Sequence, residues 1–352
     1  MHLRNNRLLV LLAGFSFFAL SGWSQQGSTP QTPAQQPPPQ QVPTQPAGNA
    51  APPPTDQTQS DTSVGNDAGT FVFRKEVEEV VLHVTVVDKD RRMVTNLDKN
   101  AFAVMENGKP QPITSFRHED IPVALGIVID NSGSMREKRE KVNKAALNLV
   151  RASNPDDQVF VVNFSDEYYL DQDFTSDIKK LKEALEKIET SGGTALYDAI
   201  VAAWDSELKT AKLQKKIMFV VTDGEDDASR KSLEQAVQYI QVENGPTLYA
   251  IGILGDEGRP KRGKKALQVL TERTGGIAFF PKSLGEVDEI SSTVARDIRN
   301  QYTIGYKPTT PKSQGGYRAI QVQVQAKGYG KLTARTRSGY YPGQENGPGG
   351  GK

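Results

Sequence analysis

Two acidic strand ends, far apart in the chain, hold the residues best suited to chemistry. Asp130 closes the apolar run 121–129 (IPVALGIVI) and opens a polar loop, Asn131, Ser132, Gly133 and Ser134. Asp223 follows a second apolar run, 217–221, through Thr222, and opens Gly224-Glu225; between the two in sequence, Thr194 follows Gly192-Gly193 where a helical pattern begins. The oxygens on offer are two carboxylates (Asp130, Asp223) and three hydroxyls (Ser132, Ser134, Thr194). Such a hard set, without sulfur or imidazole, favours Mg2+, Ca2+ or Mn2+ over zinc or copper. So few negative ligands would leave an ion electrophilic with an open position, and Mg2+ in particular keeps waters and accepts oxygens from its partner. Taken singly, Ser132 and Ser134 also suit an ordinary helix N-cap, and Thr194 a cap after its Gly-Gly turn.

Metal chemistry requires these loops to meet, so the elements around them matter. From residue 121 onward, strands alternate with helices. Val142, Ala145, Ala146 and Leu149 recur at helical spacing until Asn154-Pro155, and 158–164 reads as a buried strand with a short strand at 168–170 after it. Helical stripes follow at Ile178, Leu181, Leu185 and Ile188, and at Leu196, Ile200, Ala203 and Trp204. Then come a strand at 217–221, a helix through Leu233, Ala236, Val237 and Ile240, a strand at 248–253, a helix around 266–270, a strand at 277–280 and a helix through Val287, Ile290, Val294 and Ile298. Continuous apolar strands alternating with helices predict an α/β fold, a doubly wound, mainly parallel sheet covered on both faces. In such a sheet, ligands bind beyond the carboxyl ends of the strands, which is where Asp130 and Asp223 fall.

At this point the residues resemble the von Willebrand factor type A domain and its metal-ion-dependent adhesion site. The Asp-x-Ser-x-Ser motif matches Asp130, Ser132 and Ser134, the separate threonine matches Thr194 in SGGTALYDAI, and the second aspartate matches Asp223 in VVTDGED. The resemblance covers roughly 121–304. It implies that Ser132, Ser134 and Thr194 ligate an ion, that the aspartates bind it directly or through water, and that a carboxylate of a protein partner completes the shell. The flanks, through the stretch ending in ENGKPQPI and the terminal RSGYYP, also resemble the VWFA-related acidobacterial domain family.

Neighbouring charges have plainer readings. Glu225, Asp226 and Asp227 could repel acidic partners, tune specificity or bind a second cation, but a solvated acidic turn before a helix is favoured. Asp198 reads as a dipole-favoured residue with a supporting role open to it, Met135 and Trp204 as packing residues, and the basic run 136–144 as a solvated helix face.

The rest of the chain flanks this unit. Between 79 and 87 apolar and mixed residues alternate with period 2, and a strand at 102–105 meets Asn107-Gly108, a strong hairpin signal, before 113–116. At the other end Ile320, Val322 and Val324 alternate with glutamines, and 332–337 could pair with them across Gly328-Tyr329-Gly330. These outer strands are expected to join in a small flanking β domain with the α/β domain inserted between. The expected organisation is a signal peptide at 1–24, a disordered Pro/Gln-rich linker at 25–69, a β module at 70–118, the α/β domain at 119–305, β strands at 306–342 and a disordered tail at 343–352.

Composition sets limits on function. With 43 basic and 42 acidic residues, net charge +1, nothing marks a nucleic-acid-binding protein. Cysteine is absent, which removes disulfides, thiolate chemistry and a lipoprotein anchor; of three histidines, only His83 and His118 lie outside the expected signal peptide. His83 sits on a strand's second face and reads as structural. Arg4 and Arg7 ahead of an apolar stretch at 8–20 and then Ser21, Gly22 and Ser24 have the layout of a secretory signal. The stretch is shorter than the roughly 20 residues of a membrane span, so export to periplasm, surface or medium is expected, without membrane insertion. The leading expectation is a non-enzymatic binding module, with no catalytic residues, that grips an acidic side chain of another protein. The rival is a Mg2+-dependent phosphatase of the haloacid-dehalogenase type using Asp130 as nucleophile. That chemistry needs a second acid where Ser132 stands. A P-loop nucleotide site is also unsupported, because no GxxxxGK[ST] occurs.

Overall fold

Val80, Leu82, Val84 and Val86 turn inward from β1 (Val80–Val87), while Val81, His83 and Val87 stay partly covered, as a strand with one core face requires. The computed structural model describes residues 79–187, 190–253 and 260–343. The expected signal peptide, the linker, Ile188 and the tail from 344 onward lie outside the described residues.

The chain continues through β2 (Phe102–Glu106), β3 (Lys109–Gln111) and β4 (Ile113–Arg117). The α/β part runs β5 (Val123–Asp130), α1 (Arg139–Arg151), β6 (Gln158–Phe164), β7 (Tyr168–Thr175), α2 (Ile178–Glu186), α3 (Leu196–Ser206), β8 (Lys215–Thr222), α4 (Leu233–Ile240), β9 (Thr247–Gly252), α5 (Pro260–Thr274), β10 (Ala278–Phe279) and α6 (Val287–Arg299). It ends in β11 (Tyr302–Tyr306), β12 (Arg318–Val324), β13 (Thr333–Arg335) and β14 (Gly339–Tyr340).

The central sheet has the order β10-β9-β8-β5-β6-β7. Its strands pair in parallel except β7, which closes one edge antiparallel to β6. Every residue of β5, β8 and β9 is buried, the signature of strands covered on both faces. Odd-numbered residues of β5, such as Leu125, Ile127 and Ile129, pack toward α1, α2 and α6. The opposite face, with Ala124 and Val128, packs toward α3, α4 and α5. Gly126 is required in the middle of β5 because a Cβ there would lie 2.4 Å from the Phe160 ring. The architecture is thus a doubly wound, mainly parallel sheet with extra antiparallel sheets beside it.

Two four-stranded antiparallel sheets, β13-β1-β11-β4 and β14-β12-β2-β3, share a core that includes Leu82, Val84, Phe102, Tyr302 and Ile304. Strands from both ends of the chain therefore interleave: β1 pairs with β11, and β12 with β2. Asn107 and Gly108 take φ of 49° and 75°, the left-handed pair that an Asn-Gly hairpin uses. Two sequence expectations change. The stretch 332–337 does not pair with β12: both edges of β12 are taken by β2 and β14, so β13 joins the free edge of β1, with Thr85 opposite Arg335. Residues 302–305, which the expected bounds put inside the α/β domain, belong to β11, which hydrogen-bonds to β1 and β4.

Polar groups tie the two parts together. The buried Asp297 of α6 accepts hydrogen bonds from Thr85 Oγ1 (2.9 Å) and Tyr249 Oη (2.7 Å) and from the Arg335 guanidinium. No helix among the described residues is long and apolar enough to cross a membrane.

Candidate metal centre

β5 and β8 lie side by side in parallel, with Ile129 opposite Val221. From β5 the chain builds outward to β6 and β7, then crosses back to place β8, β9 and β10 on the other side. The boundary between β5 and β8 is therefore the topological switch point, where the loops leaving adjacent strands diverge and open a crevice. Asp130 is the last residue of β5, and Asp223 follows the last residue of β8.

The two carboxylates are held from below and from the side. Asp130 is fully buried; its Oδ1 accepts from the Ser132 backbone N–H at 2.8 Å and its Oδ2 from Thr222 Oγ1 at 2.5 Å. Asp223 Oδ1 accepts from Ser134 Oγ at 2.9 Å, and Ser134 Oγ lies 3.1 Å from Ser132 Oγ. The ammonium of Lys138 is paired with Asp223 Oδ2. Burial is the main force on Asp130 and raises its pKa above the usual carboxylate value; the Thr222 and Ser132 hydrogen bonds pull it down, and the charge of Asp223 pushes it up.

Thr194 joins through backbone. Gly133 N–H donates to Gly192 O at 3.4 Å and Ser191 N–H to Asn131 O at 2.9 Å, which stitches the loop before α3 to the loop after β5. Thr194 N–H donates to Asp227 Oδ1 at 2.7 Å, and Asp227 N–H returns a bond to Thr194 O at 3.1 Å. Thr194 Oγ1 comes so near Gly224 that a Cβ there would lie 3.3 Å from it. All five sequence-predicted residues thus fall on three interlocked loops at one sheet edge. Ser132 and Thr194 are buried, whereas Ser134 is exposed.

Other expectations are revised. The run 136–144 is not simply a solvated face: a 3-10 turn over Gly133–Met135 delays α1 until Arg139, which turns Lys138 toward Asp223 and buries Arg139 behind Asp130. Arg139 Nη1 donates to Asp130 O at 3.3 Å, and burial lowers its guanidinium to about 10. The acidic turn is not merely solvated before α4. Asp227 caps the chain at Thr194, and Asp226 Oδ2 accepts from Tyr197 N–H at 2.9 Å, so both serve the amino end of α3. Asp198 accepts from Arg230 N–H at 2.8 Å and fastens that same loop from the other side. Sequence reasoning missed Thr222; its place one residue before Asp223, on a strand adjacent to β5, was the available signal. Met135 and Trp204 are core residues. His118 packs at a tilt against Tyr302 in the β part and His83 lies on β1, both away from these loops.

Chemically, the set is short of negative charge. Among the described residues, no group of three or more His, Cys, Asp or Glu is placed to hold an ion. The donors fit a divalent cation bound mainly by hydroxyl and carboxylate oxygen, and the Lys138 ammonium against Asp223 shows that a positive charge is accommodated there. They do not fit an aspartyl nucleophile, because both Asp130 oxygens are buried and already accept hydrogen bonds.

Residues 125–225 match the family model described as von Willebrand factor type A domain, so the segment carrying all five residues is similar to that domain. No curated protein matches the chain. Similar solved structures include proximal thread matrix protein 1 from the mussel byssus, at 20% identity over 55% of this chain and 51% of that one, TM-score 0.45. The chain thus spans about half the length of the byssus protein, a second structure of which is described with a zinc-occupied MIDAS motif. A von Willebrand factor type A protein from Catenulispora acidiphila matches at 16% identity over 68% of this chain and 75% of that one, TM-score 0.45. The vWF domain of the type V pili tip protein Mfa5 from Porphyromonas gingivalis matches at 13% identity over 51% of this chain and 97% of that one, TM-score 0.42.

Proposed function

We propose that this protein is an exported, non-enzymatic binding module that uses a divalent ion, Mg2+ before Ca2+ or Mn2+, to grip an acidic side chain on another protein. The observation that supports the reading is the meeting of hydroxyl and carboxylate oxygens from the loops after β5 and β8 at their switch point, with the loop that carries Thr194 stitched to them through backbone. Ser132, Ser134 and Thr194 would hold the ion, with Asp130 and Asp223 beside it. Bound there, the ion would supply an electrophilic position open to a carboxylate oxygen. Asp130 orients the Ser132 loop through its Oδ1, and Thr222 fixes that carboxylate from β8. Asp227 and Asp226 hold Thr194 and the start of α3 in place, so the third loop is set before any partner arrives. Export rests on the layout of 1–24, and the acidic partner on the shortage of negative ligands.

The test pairs ion binding with partner capture. The full chain, wild type and Thr194→Ala or Asp223→Ala, is titrated with Mn2+ calorimetrically and used to capture proteins from an envelope extract in Mg2+ or EDTA. The reading expects Mn2+ uptake by the wild type, loss of uptake in both variants, and a captured protein that EDTA and both substitutions release. Capture unchanged in EDTA would refute the metal bridge.

A further inference from the structure

The two site aspartates have four carboxylate oxygens, and each already has a donor. Three donors are neutral: the Ser132 N–H, the Thr222 hydroxyl and the Ser134 hydroxyl. The fourth is the Lys138 ammonium on Asp223 Oδ2, and it is the charged one. The Asp223 side chain keeps 1% of its surface exposed, while the lysine that contacts it keeps 26%. Lys138 stands one residue before α1, at the end of a long flexible stem, so it can swing to solvent without disturbing the helix. A divalent ion that uses Asp223 must therefore displace this ammonium or tolerate it as a neighbour of like charge.

The geometry points to Lys138 as a built-in competitor for the ion, a resident cation that occupies Asp223 and sets the concentration at which the site loads. This deepens the proposed function and rests on its metal reading. Lys138 neutralises Asp223 when no ion is bound, which keeps a buried carboxylate from standing unpaired. The same contact weakens ion binding, because part of the ion's attraction to Asp223 is offset by the loss of the ion pair and by repulsion from the nearby ammonium. The site is thereby set to respond to changes in free divalent ion rather than to hold one permanently. Arg136 offers a matched control. It carries the same charge on the same loop, but it is exposed and donates to Thr190 Oγ1 at 3.3 Å, with no bond to either aspartate.

The full chain is titrated with Mn2+ at fixed ionic strength, reading heat and the free-Mn2+ paramagnetic signal, for wild type, Lys138→Gln, Lys138→Arg and Arg136→Gln. Removing a unit charge beside a divalent ion is expected to tighten binding in Lys138→Gln by about tenfold after surface screening. Lys138→Arg should stay near wild type, and Arg136→Gln should change affinity by less than about threefold. In EDTA, Lys138→Gln should melt below wild type, with Mn2+ restoring the loss. Equal or weaker Mn2+ affinity in Lys138→Gln overturns the inference, as does an equal gain in Arg136→Gln, which would reveal only a general field. Mn2+ uptake that ignores Lys138 sinks this inference alone; no uptake by any variant sinks the metal reading with it.

Discussion

Replacing Thr222 by valine tests whether the site's buried carboxylate depends on its neighbour strand. The change keeps shape but exchanges the hydroxyl that donates to Asp130 Oδ2 at 2.5 Å for a methyl group. Asp130 has no exposed surface, so water cannot replace the lost donor, and Oδ1 keeps only the Ser132 N–H at 2.8 Å. A hydrogen bond to a charged group contributes about 1.5–3 kcal/mol, and leaving the acceptor buried adds to the loss. The Gly224 N–H also loses its 3.3 Å contact to the same hydroxyl, a smaller effect. The sum is about 2–4 kcal/mol, a fall in Tm on the order of 5–10 °C for a unit of this size. Its pH dependence has a definite sign. Burial already raises Asp130, and the Thr222 bond is among the forces lowering it, so the variant's carboxyl is raised further. Between the unfolded value near 3.9 and the raised folded value the native state binds more protons than the unfolded state, and stability falls as pH rises through that window. The deficit of Thr222→Val should therefore be smaller at pH 4 than at pH 8. Urea unfolding in EDTA at both pH values measures it. A loss under about 0.5 kcal/mol at pH 8, or an equal loss at both, would refute the account of Asp130 as a charge held by Thr222.

Two further expectations concern the amino edge of the sheet and the seam with the β part. Lys215 is buried at the start of β8, where its ammonium donates to Ile298 O and burial, reinforced by Arg299, lowers it to about 7. The unfolded chain then binds the extra proton between about pH 7 and 10, so wild-type stability should rise with pH there by up to about 1.4 kcal/mol per unit; Lys215→Met should flatten that slope in urea midpoints at pH 7 and 9, and an unchanged slope would count against it. Asp297→Ala removes the common acceptor of Thr85, Tyr249 and Arg335 and should cost about 3–5 kcal/mol in thermal or urea unfolding, a loss below about 1 kcal/mol showing that the seam does not depend on it.

The α/β framework was legible because its signals are local. Runs such as 123–129 and 217–221 are apolar throughout, and helical stripes lie between them, so alternation alone implied a covered parallel sheet. Strand-end placement of Asp130 and Asp223 follows from the same runs. What was not legible depends on contacts between distant segments. Asp226 and Asp227 sit before α4 in sequence, yet they bond the backbone at the start of α3, because the loops rather than the helices are neighbours. Lys138 was placed with a solvated run since periodicity cannot foresee the 3-10 turn that precedes α1. The partner of 333–335 was misread for a related reason. A glycine-containing turn favours pairing with the strand before it, but competition for edges decides, and β12 had none left.

The layout of these contacts explains how an inserted α/β unit can carry a site at all. The chain enters it between β4, ending at Arg117, and β5, starting at Val123, and leaves it between α6, ending at Arg299, and β11, starting at Tyr302. Arg299 spans both crossings, donating to Asp120 at 2.8 Å and to Asp157 Oδ2 at 2.8 Å, while Asp157 Oδ1 accepts from the Val123 N–H at 2.8 Å. Lys215 adds a bond to Ile298 O at the same end. These groups mark the amino ends of β5, β6 and β8. The eight residues of β8 rise about 3.3 Å each, so Thr222 and the Asp130 carboxylate it holds lie roughly 23 Å from that anchorage. Charged groups at the amino edge tie the two crossing segments to each other and to β6, while Asp130 and Asp223 are buried at the opposite, carboxyl edge. Because β5 and β8 are rigid, fully covered strands, the two edges are held apart by a packed core. The loops at the carboxyl edge can therefore diverge without loosening the contacts at the amino edge.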